Sequence, residues 1–237
     1  MGMKCIITSI SAPFGVLSDT LTNFRLSNDV WLFFELQNEN TIKIKYVFDK
    51  SELNRNEAIS FAQRYTKAIA LDLALKNSIN FEWDYSIQDT WIEDEKGISS
   101  SSVNVHISGA ARIIVRKNLI LNPEHINFKI LDAMEFFNNS LKNKENSFDE
   151  REIALWLYLS WESLKTVLNS KDNELIDKLE KDFGISRQLL KDFKYSIGKY
   201  YRHLNADKPG TLIPIDQCIN TMRNILNQIK EAEQKLR

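Results

Sequence analysis

Arg202 and His203 are the side chains of this 237-residue chain best suited to phosphate chemistry. An imidazole with an unperturbed pKa near ~6.5 can pass a proton to or from a ribose 2′-hydroxyl or a leaving oxygen at neutral pH. A guanidinium can grip a phosphate bidentately and stabilise the charge that develops on it. Asn205 and Asp207 follow closely enough to orient the imidazole or the sugar. Between Arg187 and Lys208 there are six basic residues against two aspartates, with Tyr195, Tyr200 and Tyr201 interleaved. Basic side chains neutralise phosphates and aromatic faces accept unpaired bases, so the mixture suits single-stranded RNA. Lys194, Lys199, Tyr200, Asn205 and Lys208 are the candidate contacts. The same pattern also suits a solvated helix face whose tyrosines pack inward. A histidine at a helix end equally suits a cation set against the last carbonyls.

These residues need a scaffold, and the spacing of apolar residues supplies one. The stretch from Ile153 to Leu168 is apolar nearly all round, as expected of a helix touched on several sides. Glu162 is the anomaly within it: it either faces a groove or water, or pairs with a basic residue on a facing helix. Arg202 is the expected partner, giving a structural ion pair Glu162–Arg202. Helices are expected at about 124–141, 149–169, 172–182, 186–206 and 215–236, with Lys142 to Ser147 as a polar connection. Asp149 or Ser147 is placed to cap the helix after that connection. Phe183-Gly184 should end a helix and Ser186 cap the next.

Up to about residue 120 the period is different. Ile42, Ile44, Tyr46 and Phe48 alternate as in a half-buried strand, and Val30 to Leu36 precedes them across an Asn38-Glu39-Asn40 turn. Phe81, Trp83, Tyr85 and Ile87 alternate again. Val103, Val105, Ile107 and Ile113 to Val115 read as further strand, with Gly109 at a bulge or bend. Asn56 to Lys76 carries apolar residues three and four apart, one amphipathic helix. The fold class is therefore α+β. A sheet-rich N-terminal domain with one amphipathic helix, residues 1–122, is followed by an all-helical bundle, residues 123–237, the division falling at Asn122-Pro123.

Composition narrows the remaining classes. Lys plus Arg total 31 against 32 Asp plus Glu, so no global field attracts DNA, RNA or acidic lipid, and such binding needs a local patch. The 13 Phe, 7 Tyr and 5 Trp provide apolar surface for a core and argue against disorder. Cys5 and Cys218 stand at opposite ends, outside any CxxC pair, so neither a disulfide framework nor a zinc site is signalled, and the reducing cytosol is the expected location. The apolar run after Lys4 is broken by Pro13, too short for a signal-peptide core, and no stretch approaches the ~18–20 apolar residues of a membrane span. Met1-Gly2-Met3 reads as an extension before a natural start at Met3. His106 and His125 lie in no HExxH or His–Cys cluster, and no GxGxxG, Walker A or GxSxG pattern occurs, so no metal or nucleotide cofactor is expected.

The apolar helix carrying Glu162, the helix closing in Tyr201-Arg202-His203 and a last helix after Pro209 together resemble the HEPN superfamily. The resemblance covers roughly Phe148 to Arg237. That family comprises small helical bundles recurrent in prokaryotic toxin–antitoxin, abortive-infection and other anti-phage defence proteins. It implies a cytoplasmic, metal-independent endoribonuclease with a composite site where two protomers face each other, and Arg202 matches the family arginine. It equally accommodates a non-catalytic binding or assembly module, in which the bundle only dimerises or holds a partner protein. The family places its histidine several residues beyond the arginine, whereas His203 is adjacent to Arg202. Neighbouring helical positions point about 100° apart, so the two reach one phosphate only where the helix unwinds at Leu204 or Asn205. A third option, an adaptor whose N-terminal sheet recognises another protein, calls for an exposed apolar sheet face.

Overall fold

The computed structural model describes residues 4–12, 16–17, 24–27, 29–38, 40–48, 53–91, 117–118, 128–146, 149–200 and 211–235. It is α+β: an antiparallel sheet in the N-terminal part, then helices. The chain divides into two compact units, Met1–Leu73 with Phe81–Glu124, and Ala74–Asn80 with His125–Arg237.

The first unit is built on β1 (Lys4–Ser11), β2 (Val16–Leu17), β3 (Phe24–Ser27), β4 (Val30–Asn38), β5 (Thr41–Phe48), β6 (Glu82–Trp91) and β7 (Lys117–Asn118), with helix α1 (Arg55–Asn77) as far as Leu73. Five strands form one sheet in the order β3-β4-β5-β1-β6, every neighbour antiparallel, while β2 and β7 pair in parallel. The β4–β5 hairpin closes with Asn38 opposite Thr41. The strands expected around residues 103–115 lie outside the described residues.

Strand β1 is central, paired on one side with β5 and on the other with β6. Periodicity does not reveal it, because Cys5 and Ile6 are both buried and break the alternation. Along β5 the alternation is complete: Ile42, Ile44, Tyr46 and Phe48 are buried and the residues between them half-buried.

Helix α1 starts with a reciprocal cap. Asn54 Oδ1 accepts from the Glu57 backbone N–H at 3.0 Å, and Glu57 Oε2 accepts from the Asn54 N–H at 2.9 Å. The helix lies on the buried sheet face. Phe61 packs edge-on against Tyr46 and Phe48 and stacks on Tyr65. Thr66 Oγ1 meets Thr8 Oγ1 at 2.5 Å and Tyr46 Oη at 2.9 Å, so the hydroxyls buried between helix and sheet satisfy one another.

The helical unit comprises α2 (Leu131–Asn146), entered through a 3-10 turn at Phe128–Ile130, then α3 (Glu150–Val167), α4 (Asp172–Phe183), α5 (Arg187–Tyr195) and α6 (Ile215–Lys235). Helix α2 runs through most of the segment expected to be a polar connection. Lys142 to Asn146 are helical because their polar groups find partners. Lys144 Nζ pairs with Asp216 on α6 at 2.5 Å, Glu145 Oε1 accepts from the Asn80 N–H at 3.0 Å, and Asn143 donates to the Asn139 carbonyl. Asp149 caps α3 by accepting from the N–H groups of Arg151 and Glu152. Helices α2 and α3 pack together, and Ser160 Oγ donates to the Ala133 carbonyl at 2.8 Å. Gly184 ends α4 at φ 67°, a left-handed position that suits glycine, and Ser186 caps α5.

Candidate functional site

Helix α3 carries its buried side, including Ile153, Leu157, Trp161 and Leu164, into the helical unit, and α5 packs against it. The Trp161 and Phe193 rings lie 5.8 Å apart at 56°. At Ser196 the helix begun by α5 widens into a π-helical turn, Ser196–Tyr200, directly before Tyr201-Arg202-His203 in sequence. Such turns occur often at functional sites. Ser196 holds the turn from both directions. Its hydroxyl donates to the Asp192 carbonyl at 2.8 Å and accepts from the Ile213 N–H at 3.1 Å. The Cys218 thiol sits behind this junction, pushed up to about 12 by burial and partly offset by the Ser196 hydroxyl, so it stays protonated. Gly198 is not demanded by packing, since an added Cβ would meet the Tyr158 ring at an ordinary 3.8 Å.

Charged groups cluster where α3, α4 and α5 meet. Lys165 Nζ contacts Glu162 Oε2 at 2.6 Å and Asp172 Oδ1 at 3.0 Å, and Lys194 Nζ contacts Asp172 Oδ2 at 3.1 Å. Two carboxylates and two ammonium groups thus alternate in a neutral chain. Burial opposes the charge on Lys165, but hydrogen bonds and attraction from Glu162 and Asp172 outweigh it and raise its pKa. Burial likewise opposes the charge on Asp172, and Lys165 with Lys194 overcomes it, lowering that carboxyl's pKa. Asp172 also opens α4, where the helix dipole favours an anion. Two buried side-chain atoms of α3 have no hydrogen-bond partner among the described residues, Glu162 Oε1 and Trp161 Nε1.

The sequence-expected residues therefore fall into three groups. Glu162 is placed, but its described partner is Lys165, three residues along its own helix, a spacing legible in the sequence. Lys194 is placed and engaged by Asp172. Lys199 and Tyr200 have a described backbone within the π turn. Arg202, His203, Asn205 and Lys208, together with the Arg202 end of the Glu162–Arg202 pair, lie outside the described residues, as do Asp207, His106 and His125. Arg187 is held by Glu180 at 3.0 Å and by Asp177, both on α4, and these carboxylates raise its pKa. Counting charge along residues 187–208 misses the acids that α4 lays beside Arg187 and Lys194.

Among the described residues, no group of three His, Cys, Asp or Glu side chains could hold a metal ion, and no helix is long and apolar enough to cross a membrane. Comparison with protein-family models, with curated proteins and with solved structures returns no match.

Proposed function

We propose that this protein is a HEPN-like, prokaryotic defence- or toxin-related protein that acts on RNA as a metal-independent endoribonuclease, its helical bundle pairing with a second copy to complete the site. One observation carries the reading: the helix leading into Tyr201-Arg202-His203 gives up α-helical geometry at Ser196, before the motif. In a regular helix Arg202 and His203 diverge by about 100°, so this reading also requires the helix to unwind at Leu204 or Asn205, and π turns are frequent at functional sites. Glu162 Oε1 adds support, being a buried carboxylate oxygen that still lacks a donor, which an Arg202 guanidinium would supply. In this mechanism Arg202 grips the scissile phosphate while His203 takes the proton of the attacking 2′-hydroxyl. Lys199, Tyr200, Asn205 and Lys208 hold the flanking nucleotides.

A second reading, a non-catalytic assembly module of a defence or toxin–antitoxin complex, is favoured by the neutralisation of Arg187 and Lys194 by α4 carboxylates. Incubating a confirmed dimer with mixed cellular RNA in EDTA separates the two. The enzyme reading expects cleavage that His203→Ala and Arg202→Ala abolish. No cleavage by the wild-type dimer, with a partner protein retained, would favour the module.

A further inference from the structure

Ser196 is fully buried where α5 gives way to the π turn, and its hydroxyl does more than those of the other buried serines described in the helical unit. Ser140 and Ser160 each donate to one carbonyl, those of Phe137 and Ala133. The Ser196 hydroxyl donates to the Asp192 carbonyl, which its own backbone N–H also reaches, and it accepts from the Ile213 N–H at 3.1 Å. Ile213 is held at its carbonyl as well, by the Cys218 thiol 3.8 Å away in the first turn of α6.

One hydroxyl therefore joins the two ends of a single stretch of chain, residues 197–212. Arg202 and His203 belong to that stretch, and so do Lys199, Tyr200, Asn205 and Lys208. Every residue that the proposed function sets on RNA thus lies between the two residues that Ser196 connects. Joining both ends of a stretch removes chain freedom that a tether at one end leaves. Serine is a poor choice for a buried helix position, because its hydroxyl competes for backbone groups. Here the competing hydroxyl secures a backbone N–H seventeen residues further on.

We propose that Ser196 is a positioning residue: by clamping the backbone at both ends of residues 197–212, it restricts the conformations open to Arg202 and His203 and so sets the rate of the chemical step. The inference rests on the endoribonuclease reading for what the clamp positions, and on the Ser196 hydrogen bonds for the clamp itself. A guanidinium that grips a phosphate and an imidazole that takes a proton act only within a narrow range of geometries, so loosening their tether lowers kcat. Attraction between lysines and phosphates falls off slowly with distance, so KM changes less.

The test compares the full-length wild type with Ser196→Ala, Ser196→Thr and Ser160→Ala. Ser160→Ala removes a buried hydroxyl that donates to a helix carbonyl elsewhere in the same unit, so it reproduces the structural loss alone. Limited trypsin digestion of the native protein, read by mass spectrometry as fragments ending at Lys199 or Arg202, reports opening of the stretch. Ser196→Ala should speed those cuts about tenfold, as expected for the loss of one or two hydrogen bonds. Ser196→Thr keeps the hydroxyl and should stay within about threefold of wild type. Ser160→Ala should not speed them. In RNA cleavage by the dimer in EDTA, Ser196→Ala should lower kcat about tenfold with KM within about twofold of wild type, and Ser160→Ala should change neither. Thermal unfolding by circular dichroism confirms that each variant folds. Wild-type trypsin rates in folded Ser196→Ala would overturn the clamp, and an unchanged kcat would overturn its positioning role. No cleavage by the wild-type dimer would sink the endoribonuclease reading and the positioning role with it, while the trypsin rates still decide the clamp.

Discussion

Thr66 Oγ1 joins the hydroxyls of Thr8 and Tyr46 in a buried cluster, at 2.5 and 2.9 Å. Burial raises the Tyr46 pKa, so the phenol stays protonated and needs the acceptor that Thr66 provides. Thr66→Val keeps the shape but strands two hydroxyls, and should cost roughly 1–3 kcal/mol in urea unfolding, while Thr66→Ser should cost less. An unchanged midpoint in Thr66→Val would show that the cluster contributes nothing to the first unit. At this scale part of the candidate site is legible in the sequence and part is not. Glu162 stands out as a carboxylate on an apolar helix, and Lys165 lies three residues on, a spacing that pairs on any helix. Asp172 and Lys194 are far apart in sequence, so their contact depends on how three helices meet.

The elements explain which charges matter. The Glu162–Lys165–Asp172–Lys194 network fastens α3, α4 and α5 at one corner, and Lys178 Nζ caps the end of α3 by donating to the Leu168 carbonyl at 2.5 Å. The folded state lowers the Asp172 pKa, so folded protein binds fewer protons there than unfolded protein does. Its stabilisation is present above about pH 4 and is lost as pH falls through the lowered value. Lys165 shifts upward, so its share is present below about pH 10 and is lost as pH rises through the raised value. Asp172→Asn should therefore lower stability at pH 7 by roughly 1 kcal/mol, two partly exposed pairs being involved, and the gap to wild type should close in acid. A gap that persists at pH 2–3 by urea midpoints would show that the loss is packing and not charge. The same scale separates elements the sequence reveals from those it hides. The β5 alternation and the Gly184 stop carry their signals in residue type. Strand β1 hides because a central strand buries neighbours on both faces, and the last turn of α2 resembles a linker because its partners, Asp216 and Asn80, are remote. The π turn has no signature in Ser196-Ile-Gly-Lys-Tyr200, and apolar spacing alone runs a regular helix straight through it.

For the whole molecule, a net charge of −1 means that RNA recognition must be local. Arginine and histidine after a π turn suit phosphate cleavage. The measurement closest to the central claim is the chemistry of the RNA ends left by the full-length dimer in EDTA. If His203 removes the 2′-proton while Arg202 holds the phosphate, the 2′-oxygen displaces the 5′-oxygen, which leaves with a proton taken from solvent. The products are then a 2′,3′-cyclic phosphate and a 5′-hydroxyl, with rates that respond to pH near ~6.5. The account predicts new 5′ ends that polynucleotide kinase labels without prior phosphatase, and that His203→Ala does not produce. New ends bearing 5′-phosphate, or no ends above a protein-free control, would contradict it.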